Sequence, residues 1–148
     1  MSFDRNEWQR ARRKANGNAY TLKYERTKYG KLMRIYRNMK SRIEGVQKAK
    51  FHLYRGKYLL PKEEFYTWAI MQPEFHRLFR EWEESGYERK LAPSVDRVDS
   101  SVGYRTWNMQ WVTHSENSRR GSVGRRTQRE ESEGRSKAQF VPLARAAA

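Results

Sequence analysis

The chain contains no cysteine, so neither a disulfide framework nor a cysteine-based zinc ribbon can stabilise it. Its stability must come from packing. It also has no run of about 18 apolar residues, the length that a membrane-spanning helix requires. The polar beginning, MSFDRNEW, lacks the apolar stretch of a secretory signal peptide. We therefore expect a soluble, cytoplasmic protein with no membrane partner.

Positive charge is what the chain has in excess. Its 32 lysines and arginines stand against 17 aspartates and glutamates, which gives a net charge of +15. Such a charge favours a polyanionic partner, and nucleic acid is the usual one. The excess is concentrated in residues 1–60 and 119–148, whereas residues 61–118 are mildly acidic. Two basic arms around a cation-holding centre suit a protein that grips phosphates, although a ribosomal or packaging protein could have similar arms.

The first 90 residues show mainly helical patterns. A start that resembles a capping box predicts a short basic helix over about residues 5–15, with Trp8 almost alone as a large apolar side chain. Residues 18–30 show no clear period. Over residues 32–46 apolar side chains recur every three or four positions, which predicts a longer helix.

Two further helices are expected before residue 90. The segment FHLYRGKYLL has two apolar runs around Arg55 and Gly56, which suggests a hairpin or a turn. Pro61 and Pro73 each suit a helix start, and Gly86 suits the end of the second helix. The aromatic residues of both helices recur at helical spacing, so we expect them to form core rather than a base-stacking platform.

The pattern then changes to strand, loop, strand and helix. SVDRV and MQWV are typical of two short strands, and the residues between them have turn chemistry. Thr113 and Glu116 match a capping box, so a helix should begin at His114. Asp96 on the first strand and Asn117 on this helix could then meet at one point.

The sequence therefore predicts an α+β fold in three parts. Residues 1–90 form a helical basic N-terminal region, and residues 91–121 form the small strand-loop-strand-helix unit. Residues 122–148 are polar and rich in charge, Ser and Gly, so we expect a disordered basic tail.

A carboxylate and an amide oxygen at one point suit a hard cation such as Mg²⁺, which keeps waters and takes other ligands from phosphate. The competing interpretation is structural. In it, Asp96 pairs with an arginine and Asn117 caps a neighbouring turn.

The segment DRVD, followed by GYRTWNMQWVTHSEN, resembles the HNH (His-Me finger, ββα-metal) endonucleases, above all their small phage-borne members. The resemblance covers about residues 91–120, and a weaker likeness extends upstream. It implies a metal-dependent endonuclease that hydrolyses phosphodiester bonds in DNA with Mg²⁺ or another divalent cation such as Mn²⁺. It also implies phage origin, and hence the cytoplasm of a bacterial host.

The resemblance assigns roles to particular residues. Asp96 and Asn117 take the positions of the metal ligands, and Asn108 takes that of the asparagine that orients the base or the strand. Arg97 stands where the family usually has its general-base histidine. A guanidinium cannot accept a proton at neutral pH, but it can grip phosphate and stabilise the transition state. The phage subgroup that this segment most resembles also has this arginine.

Another group must then activate the water. His114 is the first candidate, because it precedes Asn117 by three residues and shares its helix face; the alternative is an exposed histidine at a helix start. Asp99 shares the strand face of Arg97 if the strand extends that far, and could act as base, metal ligand or ion-pair partner. His52, near the turn, could also reach the site, whereas His76 lies within a helix and suits a surface or core position better.

Basic residues around the unit are expected to hold the DNA backbone, which adds affinity and salt dependence rather than sequence information. The expected DNA-contacting residues are Arg12, Arg13, Arg105, Arg119, Arg120, Arg125 and Arg126. As a monomer or homodimer, the protein would give nicks or, with two molecules acting together, double-strand breaks, like a homing endonuclease. Two alternatives stay open: a DNA-binding protein that keeps the fold without the chemistry, and an RNA-binding or packaging protein.

Overall fold

The computed structural model describes residues 3–123. In this part of the chain the α-helices are α1 (Arg5–Ala15), α2 (Ala19–Glu25), α3 (Lys28–Ile43), α4 (Phe51–Tyr54), α5 (Lys62–Met71), α6 (Pro73–Glu84) and α7 (residues 114–123). The strands are β1 (Pro93–Arg97) and β2 (Met109–Thr113). Short 3-10 turns cover Lys48–Lys50, Arg89–Leu91 and Thr106–Asn108. The expected mixture of helices with a small sheet is confirmed.

Local side-chain chemistry explains where several helices begin. The Asp4 carboxylate accepts hydrogen bonds from the backbone amides of Asn6 and Glu7 and so caps α1, whose predicted bounds are confirmed. The Thr27 hydroxyl caps α3 in the same way, by accepting from the Gly30 amide. Pro73 occupies the first position of α6, where a helix needs no amide donor.

Three segments of the N-terminal part can be compared with the expectations from the sequence. The helix predicted over residues 32–46 begins at Lys28 and ends at Ile43, which leaves Val46 outside it and exposed. Residues 18–30, which show no clear period, contain α2. Of the two alternatives for the segment FHLYRGKYLL, the turn is confirmed at Arg55 and Gly56, and the hairpin is not formed, because the turn joins the single helical turn α4 to an extended piece at Leu59.

The two strands form an antiparallel sheet in which Asp96 lies opposite Gln110 and Ser94 lies opposite Val112. α7 follows β2 without a break, and the Thr113 hydroxyl accepts a hydrogen bond from the Glu116 amide, as the capping box predicts. Below, β1, the loop after it, β2 and α7 are called the ββα unit (residues 93–123). Residues 3–92 are called the lead-in.

One hydrophobic core joins the lead-in to the ββα unit. Buried side chains from α3, α5 and α6 pack in the same cluster as Val95, Tyr104, Met109 and Trp111. The rings of Trp68 and Trp111 stack with their centroids 5.7 Å apart, which ties α5 to β2. The expectation that the aromatic residues of α5 and α6 form core is confirmed.

Residues 124–148, which hold most of the predicted tail, lie outside the described residues. Within residues 3–123, no helix has both the length and the apolar character needed to cross a membrane.

Candidate functional site

A polar cleft of about 750 Å³ lies between the ββα unit and the lead-in. From the ββα unit it is lined by Asp96, Arg97, His114, Asn117 and Arg120. From the lead-in it is lined by Arg42, Tyr54 and Lys57. Four of the residues singled out on the sequence for chemistry therefore share one cleft: Asp96, Arg97, His114 and Asn117.

Asn117 is anchored to β1 through its amide nitrogen. Nδ2 donates to the Ser94 hydroxyl at 2.7 Å and to the Val95 carbonyl at 3.3 Å. Its Oδ1 accepts no hydrogen bond within residues 3–123, so this oxygen remains available to a ligand. The alternative in which Asn117 caps a neighbouring turn is not what the contacts show.

Asp96 is held by two donors at one oxygen. Oδ2 accepts from Gln110 Nε2 at 3.0 Å, across the strand pair, and forms an ion pair with Arg120 Nη1 at 3.3 Å. The Asp96 side chain is only 18% exposed. The pairing of this carboxylate with an arginine, which the structural interpretation expected, is thus present, while Oδ1 accepts no hydrogen bond in the described part of the chain.

Arg97 holds the loop that follows β1. Its Nη1 donates to the carbonyls of Ser100 at 2.9 Å and Val102 at 3.2 Å. The guanidinium also lies over the Tyr54 ring, 4.3 Å from its centroid. Part of the arginine therefore acts structurally, and the donors of Nε and Nη2 make no hydrogen bond within residues 3–123.

Asn108 is buried, with 1% of its surface exposed, and clasps the same loop. Its Oδ1 accepts from the Asp99 amide at 2.9 Å, and its Nδ2 donates to the carbonyls of Asp99, Val102 and Gly103. The side chain fits the role of a positioning residue that fixes the loop between the two strands, and it cannot reach a substrate directly.

Asp99 does not lie on a strand, because β1 ends at Arg97 and the condition for a shared strand face is not met. Its Oδ1 accepts from the amide and the hydroxyl of Ser101, and these hydrogen bonds lower the pKa of its carboxyl group. Asp99 is exposed and does not line the cleft. These contacts suit a residue that shapes the loop better than a general base.

His114 is half-buried at the start of α7 and lines the cleft. Burial, followed by the positive charges of Arg89 and Lys31, lowers its pKa from the ordinary 6.5. Its imidazole is therefore neutral at pH 7 and able to accept a proton. His52 and His76 do not line the cleft, and His76 contacts Lys28 Nζ and the Ile70 carbonyl instead.

The residues expected to bind DNA are spread over three regions. Arg119 and Arg120 lie on α7 near the cleft, and Arg105 follows the loop with its guanidinium 4.0 Å from the centroid of the Tyr58 ring. Arg12 and Arg13 lie on α1, which buries no residue. Arg125 and Arg126 lie outside the described residues.

Arg42, Tyr54 and Lys57 complete the cleft, and the sequence analysis did not single them out. They belong to the lead-in, 57 to 72 residues before the start of α7, so no local spacing connects them to Asp96 or Asn117. The sequence feature that bears on them is the basic character of residues 1–60, which indicates a phosphate-binding surface but does not identify the residues that form it.

In the described part of the chain, no group of three or more His, Cys, Asp or Glu side chains could hold a metal ion. A cation bound by Asp96 and Asn117 would take its other ligands from water and phosphate, which is how Mg²⁺ is usually held. No family model, curated protein or solved structure matches the chain.

Proposed function

We propose that the chain is a metal-dependent DNA endonuclease of the HNH type, which hydrolyses phosphodiester bonds. The observation that carries this proposal is the meeting of Asp96, His114 and Asn117 in one cleft, whose other side presents Arg42 and Lys57. A carboxylate, an amide oxygen, a neutral imidazole and cationic side chains are the groups that phosphodiester hydrolysis requires.

Asp96 and Asn117 are the residues that would hold Mg²⁺ or Mn²⁺. The free Oδ1 of each side chain fits this role, because hard cations prefer carboxylate and amide oxygens. When bound, such an ion supplies stabilisation of the negative charge that develops on the phosphate and the leaving oxygen. Gln110 and Ser94 hold the two ligand side chains in place through hydrogen bonds.

His114 acts as the general base that takes a proton from the attacking water, because its lowered pKa keeps it neutral at pH 7. Arg97 cannot take this proton. Its free donors bind a phosphate oxygen and stabilise charge in the transition state, while Nη1 keeps the loop in position.

The test is the nicking of supercoiled plasmid at low salt, with Mg²⁺, Mn²⁺ or EDTA. We expect metal-dependent nicking by the native protein and its loss in Asp96→Ala and Asn117→Ala. His114→Ala should lower the rate by about 10²-fold or more, the usual contribution of a general base. Arg80→Ala serves as the control, since Arg80 is exposed on α6 and does not line the cleft.

One observation favours the second candidate, a DNA-binding protein without activity. Arg120 already places a positive charge on Asp96, and the histidine of the family motif is replaced by Arg97. This candidate predicts tight, salt-sensitive plasmid binding and no nicking with any metal. That result would replace our proposal.

A further inference from the structure

Three cations meet at the cleft from three separate segments. Arg42 comes from the end of α3, Lys57 follows α4, and Arg97 ends β1. None of the three forms an ion pair among the residues that the structure describes, whereas Arg34, Arg77 and Arg120 all do. A cleft lined by charges of one sign concentrates the electric field and attracts ligands of opposite charge.

Two stacked tyrosines hold two of these cations, Arg42 and Arg97, in place. The rings of Tyr54 and Tyr104 are nearly parallel, with centroids 6.2 Å apart. Arg97 lies over both rings, and Arg42 lies 5.9 Å from the centroid of Tyr54 while its Nη1 donates to the Tyr104 hydroxyl at 3.3 Å. The positions of the charges are therefore set before any ligand arrives, which lowers the entropic cost of binding.

Lys57 is fixed by backbone carbonyls. Its Nζ donates to the carbonyls of Leu53 and, at 2.8 Å, Ser100, which also accepts from Arg97. Burial and then the charge of Arg97 lower the pKa of Lys57, while Asp99 acts in the opposite direction. The two cations therefore repel each other across a shared carbonyl, and a bound anion would relieve this repulsion.

Each of the three keeps a donor for a ligand. Lys57 has three N–H donors and uses two, and Arg97 uses only Nη1. Within residues 3–123 Arg42 uses Nη1 alone, which leaves Nη2 for a ligand, whereas its Nε is buried and has no partner. A tetrahedral anion with several acceptor oxygens matches such a set of donors.

We infer that Arg42, Lys57 and one of the two Arg97 nitrogens that make no hydrogen bond within residues 3–123, Nε and Nη2, form a binding site for one backbone phosphate of a DNA strand, beside the phosphate that reacts at Asp96 and Asn117. The other of these two nitrogens is left for the reacting phosphate. This inference rests on the proposed function for the identity of the strand. It gives the lead-in a specific task, which is to fix the register of the strand in the cleft.

The test is the equilibrium binding of a labelled 20-base-pair DNA duplex in EDTA, measured by fluorescence anisotropy between 0.05 and 0.3 M salt. Losing one phosphate contact makes the slope of log K against log salt less steep by about 0.9, which weakens binding roughly tenfold at 0.05 M salt. We expect this change in Arg42→Gln. Arg37→Gln is the matched control, because Arg37 is exposed on the same helix and does not line the cleft.

Equal slopes for Arg42→Gln and Arg37→Gln would overturn the inference. Arg42→Lys keeps the charge and should recover most of the slope. If Arg42→Gln has a lower melting temperature than the native protein, the same comparison of salt slopes is made between Lys57→Gln and Lys62→Gln. Lys62 is an exposed lysine at the start of α5 and serves as the control.

Because EDTA prevents cleavage, the result does not depend on catalysis. Binding that depends on Arg42 in a protein that never nicks DNA would defeat only the proposed activity. Nicking by a protein whose slope does not depend on Arg42 or Lys57 would defeat only this inference, and so would Arg42-dependent binding of RNA in place of DNA.

Discussion

At the scale of single residues, the polar side chains of the ββα unit divide into two groups. Asn108, Asp99 and part of Arg97 build the loop, whereas Asp96, His114 and Asn117 line the cleft and have side-chain atoms that make no hydrogen bond within residues 3–123. The types and order of these residues do not separate the groups. The hydrogen-bond partners of each side chain separate the two groups, and these partners depend on the folded backbone.

Asn108→Ala should lower the free energy of unfolding by about 2–3 kcal/mol, because it leaves the partly buried Asp99 amide and the buried Gly103 carbonyl without their hydrogen-bond partner. Urea denaturation measures the change. Asn38→Ala, on α3 and without a side-chain hydrogen bond among the described residues, is the control and should be neutral. An unchanged free energy of unfolding in Asn108→Ala would contradict the role of Asn108 in holding the loop.

If Asp96 is a metal ligand as proposed, Arg120→Ala should strengthen the binding of Mn²⁺ in the absence of DNA, because the Arg120 guanidinium that pairs with Asp96 would compete with the cation. A partly exposed ion pair contributes up to about 1 kcal/mol, so the dissociation constant should fall by up to about fivefold. Isothermal titration calorimetry provides the measurement. Arg119→Ala removes a neighbouring charge that makes no ion pair within residues 3–123, and an equal change in that control would count against the competition.

The lowered pKa of His114 also predicts a pH dependence of stability. Below pH 6.5 the unfolded chain binds a proton at this histidine while the native chain does not. Stability should therefore fall as the pH drops from 6.5 to the native pKa, and then level off. Urea unfolding at a series of pH values should show that His114→Asn removes this component. The same pH-dependent component of stability should persist in the control variant His52→Asn, which alters an exposed histidine outside the cleft.

At the scale of elements, the loop and the lead-in meet in a close backbone-to-backbone junction. The Tyr104 amide donates to the Tyr58 carbonyl at 2.7 Å, and the Leu60 amide donates back to the Tyr104 carbonyl. Gly103 lies so close to the Tyr58 backbone that a Cβ there would come within 2.3 Å of its carbonyl oxygen. Only glycine fits this approach.

Gly103→Ala should therefore lower the free energy of unfolding by about 3 kcal/mol, as overpacking against backbone does. Gly121→Ala, on α7 with open space around its Cβ position, should leave stability unchanged or raise it slightly. Thermal unfolding of both variants makes the comparison. Similar unfolding midpoints for the two variants would show that the backbone at Gly103 and Tyr58 can shift to make room for a Cβ.

The elements themselves were largely predictable, because capping residues, prolines and apolar spacing act locally. α1, α5, α6, both strands and the start of α7 follow such signals, and the approach of Asn117 to β1 follows from their order. The failures were α2, whose side chains are mostly exposed and show no apolar period, and Leu59, whose extended backbone is held by the distant Tyr104. The cationic side of the cleft was missed for the same reason, since Arg42 and Lys57 reach it only through tertiary packing.

At the scale of the whole molecule, charge and core are distributed separately. The core spans α3, α5, α6 and the sheet, whereas α1 buries no residue and carries Arg12 and Arg13. Residues on α1 can therefore change without a change in the fold, which makes them suitable for testing long-range attraction to DNA.

The double variant Arg12→Gln/Arg13→Gln should weaken DNA binding at 0.05 M salt and make its salt dependence less steep, with an unchanged melting temperature. Fluorescence anisotropy and thermal unfolding measure the two properties. Arg77→Gln/Arg80→Gln removes the same charge from α6, where Arg77 is already paired with Glu74 and Glu81. If both double variants lose affinity equally, only net charge matters and α1 makes no specific contact.

The backbone hydrogen bonds that join Tyr104 to Tyr58 and Leu60 also have a consequence for how this protein can evolve. Recombination that transferred residues 93–123 alone into another protein would leave the Tyr104 amide and carbonyl without partners and the Gly103 turn without the surface it is shaped against. The segment around Tyr58 and Leu60 would have to travel with the unit. Homologous chains should therefore vary together at these two distant stretches, even where the rest of the lead-in diverges.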